Sequence, residues 1–264
     1  MSVRAKKFLG QHFLNDVNIA QRIVDSLQLP SGVATQVLEI GPGTGVLTKG
    51  LLERKDVDLK VIEIDFESVS YLRKNYRGLK NRIIEGDFLE TDFNTLFQGS
   101  FSIIGNFPYN ISSQIFFNVL EHRDQVDQVV CMLQKEVADR IASKHGNKVY
   151  GILSVLLQAY YDIENLFSVS PGVFRPPPKV MSAVIRLKRN QRKKLDCDEV
   201  LFKQVVKQGF GKRRKTLRNA LKELNLPESV KAMDIMNKRA EQLTVEDFVF
   251  LTRTIQQSEG VHSI

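Results

Sequence analysis

Between residue 36 and about residue 145 the chain alternates short apolar runs with amphipathic stretches, and few folds accept that pattern. Residues 36–40 predict a buried strand that runs into a glycine-rich turn, with a helix through Leu47, Leu51 and Leu52 after it. Residues 59–64 predict a second strand and 66–76 a helix. Residues 82–85, 101–105 and 126–133 predict three more strands, with helices near 112–120 and 135–143. Strands that alternate with helices build a mostly parallel, doubly wound α/β sheet with helices on both faces. Residues 152–161 are apolar and 180–187 alternate, so together they predict a strand pair that closes the sheet edge. Pro176, Pro177 and Pro178 force an extended loop between them.

From about residue 190 the pattern turns helical and polar. Phe210, Leu217, Leu221 and Leu224 fall on one face of a predicted helix, and Lys215, Arg218 and Lys222 on another. A last helix is expected over 242–255. The predicted organisation is a domain over 1–189 and a small all-helical domain over 190–264. The second part carries the charge. Residues 188–222 hold thirteen Lys or Arg against three acids, a net of +10 in a chain of net +8. A field that localised suits a polyanion such as nucleic acid, or else coats a solvated helix surface. Arg4, Lys6 and Lys7 form a smaller second cluster.

Other features narrow the field by what they lack. Cys131 and Cys197 form no C-x-x-C pair, as expected of ordinary thiols in a reducing compartment. Four scattered histidines show no metal-ligand spacing, so no metal is expected. No apolar run is long enough to span a membrane, and residues 1–14 are basic without the apolar stretch of a signal peptide. A cytoplasmic protein without a membrane partner is expected.

The first strand ends in Glu39-Ile40-Gly41-Pro42-Gly43-Thr44-Gly45. Glycines let the backbone turn sharply and approach a ligand closely. The spacing is G-x-G-x-G, shorter than the dinucleotide fingerprint, and Pro42 removes a donor that a pyrophosphate cradle could use. About twenty residues on, Glu63 or Asp65 could accept from a ribose hydroxyl pair. Asp87 ends the third strand and could accept from an adenine amino group, with Phe88 or Ile64 packing on the ring. Gly, acid and acid on three successive strand ends point to an adenosine-containing cofactor without phosphates.

The fourth strand ends in Asn106-Phe107-Pro108-Tyr109-Asn110. An adenine amino nitrogen is a poor nucleophile, because its lone pair is delocalised into the ring. The Asn106 side-chain oxygen and the carbonyl of residue 107 can each accept one amino hydrogen. The lone pair then points at a sulfonium methyl for in-line transfer, by positioning and electrostatics without a strong base. Tyr109 can stack on a flipped-out base, and Pro108 fixes the turn that sets both acceptors.

With these residues in place, nearly the whole chain resembles the ribosomal RNA adenine dimethyltransferase family. The matching segments are Gly10-Gln11-His12-Phe13-Leu14-Asn15-Asp16, residues 39–45, 62–65, 86–87, 105–110, 174–184 and 211–221. The resemblance implies a class I methyltransferase (Rossmann-like) domain followed by a small helical domain, and S-adenosylmethionine as cofactor. It implies dimethylation of the exocyclic amino groups of two adjacent adenosines in a hairpin near the 3′ end of small-subunit ribosomal RNA, during ribosome maturation. The pre-small-subunit particle is the implied partner of a monomeric enzyme. Carried over by position, His12 and Leu14 lie over the cofactor, Gly41 and Gly43 meet it at the first turn, and Glu63 rather than Asp65 holds the ribose. Asp87, Ile64 and Phe88 face the adenine, Asn106 serves cofactor and base alike, and Phe174 is a second aromatic that sandwiches the base with Tyr109. Lys212, Arg213, Arg214, Lys215, Arg218 and Lys222 grip RNA phosphates. Two positions depart from the family pattern: His12 stands where Asn is common, and Phe107 where Leu is common. A relative that methylates large-subunit RNA shares the catalytic residues, but residues 174–180 and 211–216 resemble the small-subunit enzymes. DNA adenine methyltransferases usually begin the catalytic motif with Asp. A purely RNA-binding assembly factor would not need an intact site at 106–109.

Overall fold

A computed structural model of the chain describes residues 3–260. Its strands are β1 (Phe13–Leu14), β2 (Thr35–Ile40), β3 (Val57–Glu63), β4 (Ile83–Glu85), β5 (Phe101–Asn106), β6 (Val126–Gln134), β7 (Tyr161–Val169), β8 (Phe174–Arg175) and β9 (Ser182–Arg189). Its helices begin with α1 (Val17–Asp25), α2 (Val46–Glu53), α3 (Phe66–Asn75), α4 (Phe93–Leu96), α5 (Ser112–Glu121) and α6 (Lys135–Ala142). They continue with α7 (Ile152–Gln158), α8 (Glu199–Gly211), α9 (Leu217–Ala220), α10 (Glu228–Lys231) and α11 (Val245–Gly260). No helix among the described residues is long and apolar enough to cross a membrane.

The chain divides into two compact units, one of Met1–Ala138 with Asp162–Arg189, the other of Asp139–Tyr161 with Asn190–Ile264. The first holds a seven-stranded sheet in the order β4-β3-β2-β5-β6-β9-β7. β4, β3, β2, β5 and β6 run parallel, and β9 returns antiparallel to β6. Val37, Leu38 and Ile40 of β2 are all buried, as a strand covered on both faces requires. The winding reverses between β2 and β5, and ligands of doubly wound sheets sit at that point. Ahead of the sheet, the Asp16 carboxylate accepts from the Asn18 and Ile19 N–H groups at 2.9 and 3.0 Å and so caps α1. That helix turns Ala20, Ile23 and Val24 into the core.

Three expectations are corrected. Residues 152–158 form α7 rather than a strand, and the edge strand beside β9 begins at Tyr161. Residues 153–157 are all buried, so the run has no polar face, and periodicity cannot tell such a helix from a strand. Residues 139–161 therefore belong with the helical unit rather than with the first domain: α7 packs on α8 and α11, and Tyr150 meets Phe210 edge-on at 6.0 Å. No single helix spans 210–224. α8 stops at Gly211, a turn closed by the Lys215 N–H on the Lys212 carbonyl follows, and α9 starts at Leu217. The two faces persist across the break, with Leu217 and Leu221 buried and Lys215, Arg218 and Lys222 at the surface. The last helix starts at Val245, where Thr244 and Asp247 exchange side chain to backbone hydrogen bonds at 2.9 and 3.0 Å.

Candidate active site

At the carboxyl ends of β2, β3, β4 and β5 the first unit opens a cleft lined by Gly41, Glu63, Asp87 and Asn106, the place where doubly wound sheets bind ligands. Ile40 pairs with Ile62 on one side and Gly105 on the other, so the glycine turn leaves β2 beside the end of β5. Gly43 has φ of +57°, and a Cβ there would lie 2.7 Å from the Phe13 ring, so both conformation and space demand glycine.

The two acids at the end of β3 separate cleanly. Glu63 lines the cleft and is 4% exposed. Its Oε2 accepts from the Gly43 N–H at 3.0 Å and its Oε1 from the Asp65 N–H at 2.9 Å. Burial pushes its carboxyl up, and these two bonds oppose the shift. Asp65 instead caps α3, accepting from the Glu67 and Ser68 N–H groups and the Ser68 hydroxyl, and it pairs with Lys6. Burial pushes its carboxyl up, but Lys6 and Ser68 outweigh that and hold it below the usual range. Of the basic residues near the N-terminus, Lys6 is thus engaged, while Arg4 and Lys7 are exposed.

Asp87 lines the next part of the cleft, with Oδ1 accepting from the Leu89 N–H at 2.8 Å. Ile64 is 54% exposed there, and Phe88 lines the cleft from a buried position against Phe93. A Cβ on Gly41 or Gly86 would meet nothing within 4 Å, which marks open space at both turns. These features fit a nucleoside. Each Glu63 oxygen keeps a lone pair beyond its backbone bond, an acid stands one strand over, and apolar side chains flank the space between.

At the end of β5 the Asn106 amide nitrogen donates to the His12 carbonyl at 2.8 Å. That bond orients the amide, so the oxygen is the group it can present. The Phe107 N–H donates to the Met132 carbonyl at 2.9 Å, which ties the turn to β6. Pro108 and Tyr109 also line the cleft. The Tyr109 ring lies 5.3 Å from the His12 ring, tilted by 33°, and the Tyr109 hydroxyl is 2.5 Å from the Ser182 hydroxyl. Burial pushes the Tyr109 phenol up, opposed by Ser182. His12 Nδ1 sits 2.8 Å from the Pro176 carbonyl oxygen.

The cleft thus brings together His12, Gly41, Gly43, Glu63, Ile64, Asp87, Phe88, Asn106, Pro108 and Tyr109. Leu14 and Phe174, both expected at the site, do not line it. They face each other in the β1–β8 pair and are 2% and 0% exposed, packed into the core. Side chains alternate along a strand, so Leu14 in the core puts Phe13 in the cleft. Phe13 was not among the expected site residues, because a two-residue strand shows no alternation in the sequence, and the His12 carbonyl and Ser182 carried no sequence signal beyond lying in matched segments. Lys212, Arg213, Arg214, Lys215, Arg218 and Lys222 belong to the other unit, and all lie at its surface.

Comparison with known proteins fits this geometry. The family model for ribosomal RNA adenine dimethylase matches residues 2–257. A ribosomal RNA small subunit methyltransferase A from Cytophaga hutchinsonii is 58% identical over 253 residues, 96% of this chain and 98% of the relative. The crystal structure of a dimethyladenosine transferase from Plasmodium falciparum matches with a TM-score of 0.78 at 26% identity, covering 94% of this chain and 98% of that one. The 23S rRNA methyltransferase ErmE matches with a TM-score of 0.69 at 24% identity, covering 91% and 99%, a likeness of fold. That fold is the class I methyltransferase fold.

Proposed function

The chain belongs to the ribosomal RNA adenine dimethylase family, and from that premise we propose that it dimethylates two adjacent adenosines of small-subunit ribosomal RNA. It is an rRNA adenine methyltransferase. Its substrate, on this reading, is the hairpin near the 3′ end of that RNA within the pre-small-subunit particle, and its cofactor is S-adenosylmethionine. The observation that carries the reading is the Asn106 amide, pinned by the His12 carbonyl beside a glycine turn whose Glu63 faces the same cleft.

Glu63 holds the ribose hydroxyls, Asp87 accepts from the adenine amino group, and Ile64 and Phe88 pack on the ring. When bound, S-adenosylmethionine supplies an electrophilic methyl group on a sulfonium centre. The chain's residues prepare the nucleophile. Asn106 Oδ1 and the Phe107 carbonyl accept the two hydrogens of the target amino group and favour its pyramidal form, which frees the lone pair. Tyr109 stacks on the flipped-out base. No residue needs to act as a strong base, because the acidic proton appears only once the nitrogen has been alkylated and passes readily to water.

The surface cations of the helical unit supply phosphate contacts. Lys212 pairs with Glu223 at 2.7 Å and Arg218 donates to Asn237 at 3.2 Å, exposed interactions that yield readily to a polyanion. Small-subunit over large-subunit RNA follows from the 58% relative, whose name specifies the small subunit. Incubation with labelled cofactor and unmethylated small subunits, with mapping of the modified bases, tests the whole reading. Label in two adjacent adenosines near the 3′ end is expected. Label confined to other bases, or none, overturns it.

A further inference from the structure

Tyr109 stands on a turn, three residues beyond the end of β5. Its backbone is held by short-range contacts, among them the Ile111 N–H on the Pro108 carbonyl and the Ser112 hydroxyl on the Tyr109 carbonyl, each at 3.3 Å. A ring in such a place turns about two side-chain torsions, and packing against His12 at 5.3 Å restrains one side of it. Its far end is tied elsewhere. Ser182 is the first residue of β9, pairs with Gln134 of β6 and is wholly buried. The β6–β9 ladder continues from there to the pair of Gln128 with Lys188, so Ser182 is part of a rigid frame. A buried hydroxyl is costly unless it finds a partner, and this one has the Tyr109 hydroxyl at 2.5 Å.

We propose that Ser182 is a positioning residue for methyl transfer: its hydroxyl clamps the Tyr109 ring to the sheet and sets the plane on which the target adenine stacks. The clamp rests on the methyl-transfer reading above. A platform at a fixed angle presents the amino group to Asn106 and the Phe107 carbonyl together. A platform free to tilt still binds the base but meets both acceptors only part of the time, and small misplacements cost rate. The clamp thus acts on turnover rather than on cofactor binding.

Three variants and one label test it. Ser182→Ala is expected to lower turnover at saturating small subunits about tenfold, the scale of one hydrogen bond, with S-adenosylmethionine affinity and melting temperature near those of the parent. Ser182→Thr keeps the hydroxyl and is expected to restore most of the rate. Tyr109→Phe keeps the ring and removes the anchor, so it should match Ser182→Ala, and the double variant should be no slower than either single. Turnover of Ser182→Ala at the parent rate, or losses that multiply in the double variant, would overturn the clamp. Independently of RNA, Tyr109 is assigned among the six tyrosines by comparing 13Cζ-tyrosine spectra of the parent and Tyr109→Phe. Its resonance should move in Ser182→Ala. An inactive parent would count against the assigned reaction, whereas an unmoved resonance would count against the clamp alone.

Discussion

Glu63 and Asp65 are both buried carboxylates that accept backbone N–H groups, yet only Glu63 reaches the cleft. The difference lies in what each can still do. Asp65 has committed its oxygens to α3, Ser68 and Lys6. Glu63 keeps acceptor capacity on the side that faces open space. Glu63→Ala and Asp87→Ala should therefore each weaken S-adenosylmethionine binding by roughly 1.5–3 kcal/mol, the range for hydrogen bonds to charged groups. Calorimetry on folded protein measures this, and unchanged affinity in both variants would remove the cofactor assignment. Asn106 acts at a different stage. Its oxygen meets the amino group most strongly as that group becomes pyramidal, so Asn106→Ala should abolish most turnover and leave RNA affinity nearly intact. Single-turnover rates beside RNA binding curves separate the two, and near-parental methylation by the variant would refute the role.

At the scale of elements, the parallel strands and their helices were legible because each carries its own period and its own stop. Asp65 caps the helix that follows β3, and the glycine turn ends β2. Elements without a period were not legible. α7 is buried on every side over residues 153–157, and a two-residue strand such as β1 is too short to show alternation, so Leu14 was expected in the cleft and Phe13, which lines it, was not. The site residues carried by strand ends could be found from order alone. Ser182 could not, because its role depends on a contact across 73 residues. Glu39 shows what an element junction stores. It is a wholly buried acid on β2 whose partner is the Thr48 hydroxyl of α2 at 2.7 Å, and burial pushes its carboxyl up to about 8. The folded chain thus binds a proton between the unfolded value, near 4.5, and about 8 that the unfolded chain has released. Stability from this group is complete below the unfolded value and declines as pH rises, by up to roughly 5 kcal/mol. Glu39→Gln cannot titrate, so its unfolding free energy should gain on the parent between pH 5 and 8.5. Denaturant titrations that run parallel across that range would exclude the effect.

Across the whole molecule the charge is divided as sharply as the chain. Residues 188–222 carry a net +10, and the rest of the sequence sums to −2. Within the helical unit the apolar side chains of 217 and 221 are buried while Lys215, Arg218 and Lys222 lie at the surface, so the cations are not needed to hold the fold. Their concentration in one stretch produces a local field that a phosphate backbone can use. Changing Lys215, Arg218 and Lys222 together to Gln should weaken binding to small subunits and flatten its salt dependence. The log–log slope should shrink by about 0.7 for each phosphate left without its cation on single-stranded RNA, and somewhat more on duplex. Cofactor affinity should not change, because that cleft is built from the sheet of the other unit. Melting temperature should change little, since exposed charges contribute modestly to folding. If the triple variant instead binds subunits as the parent does at every salt concentration, these side chains only solvate the helices. The grip on phosphates would then have to come from other exposed cations, with Arg4 and Lys7 the next to replace, because Lys6 is already committed to Asp65.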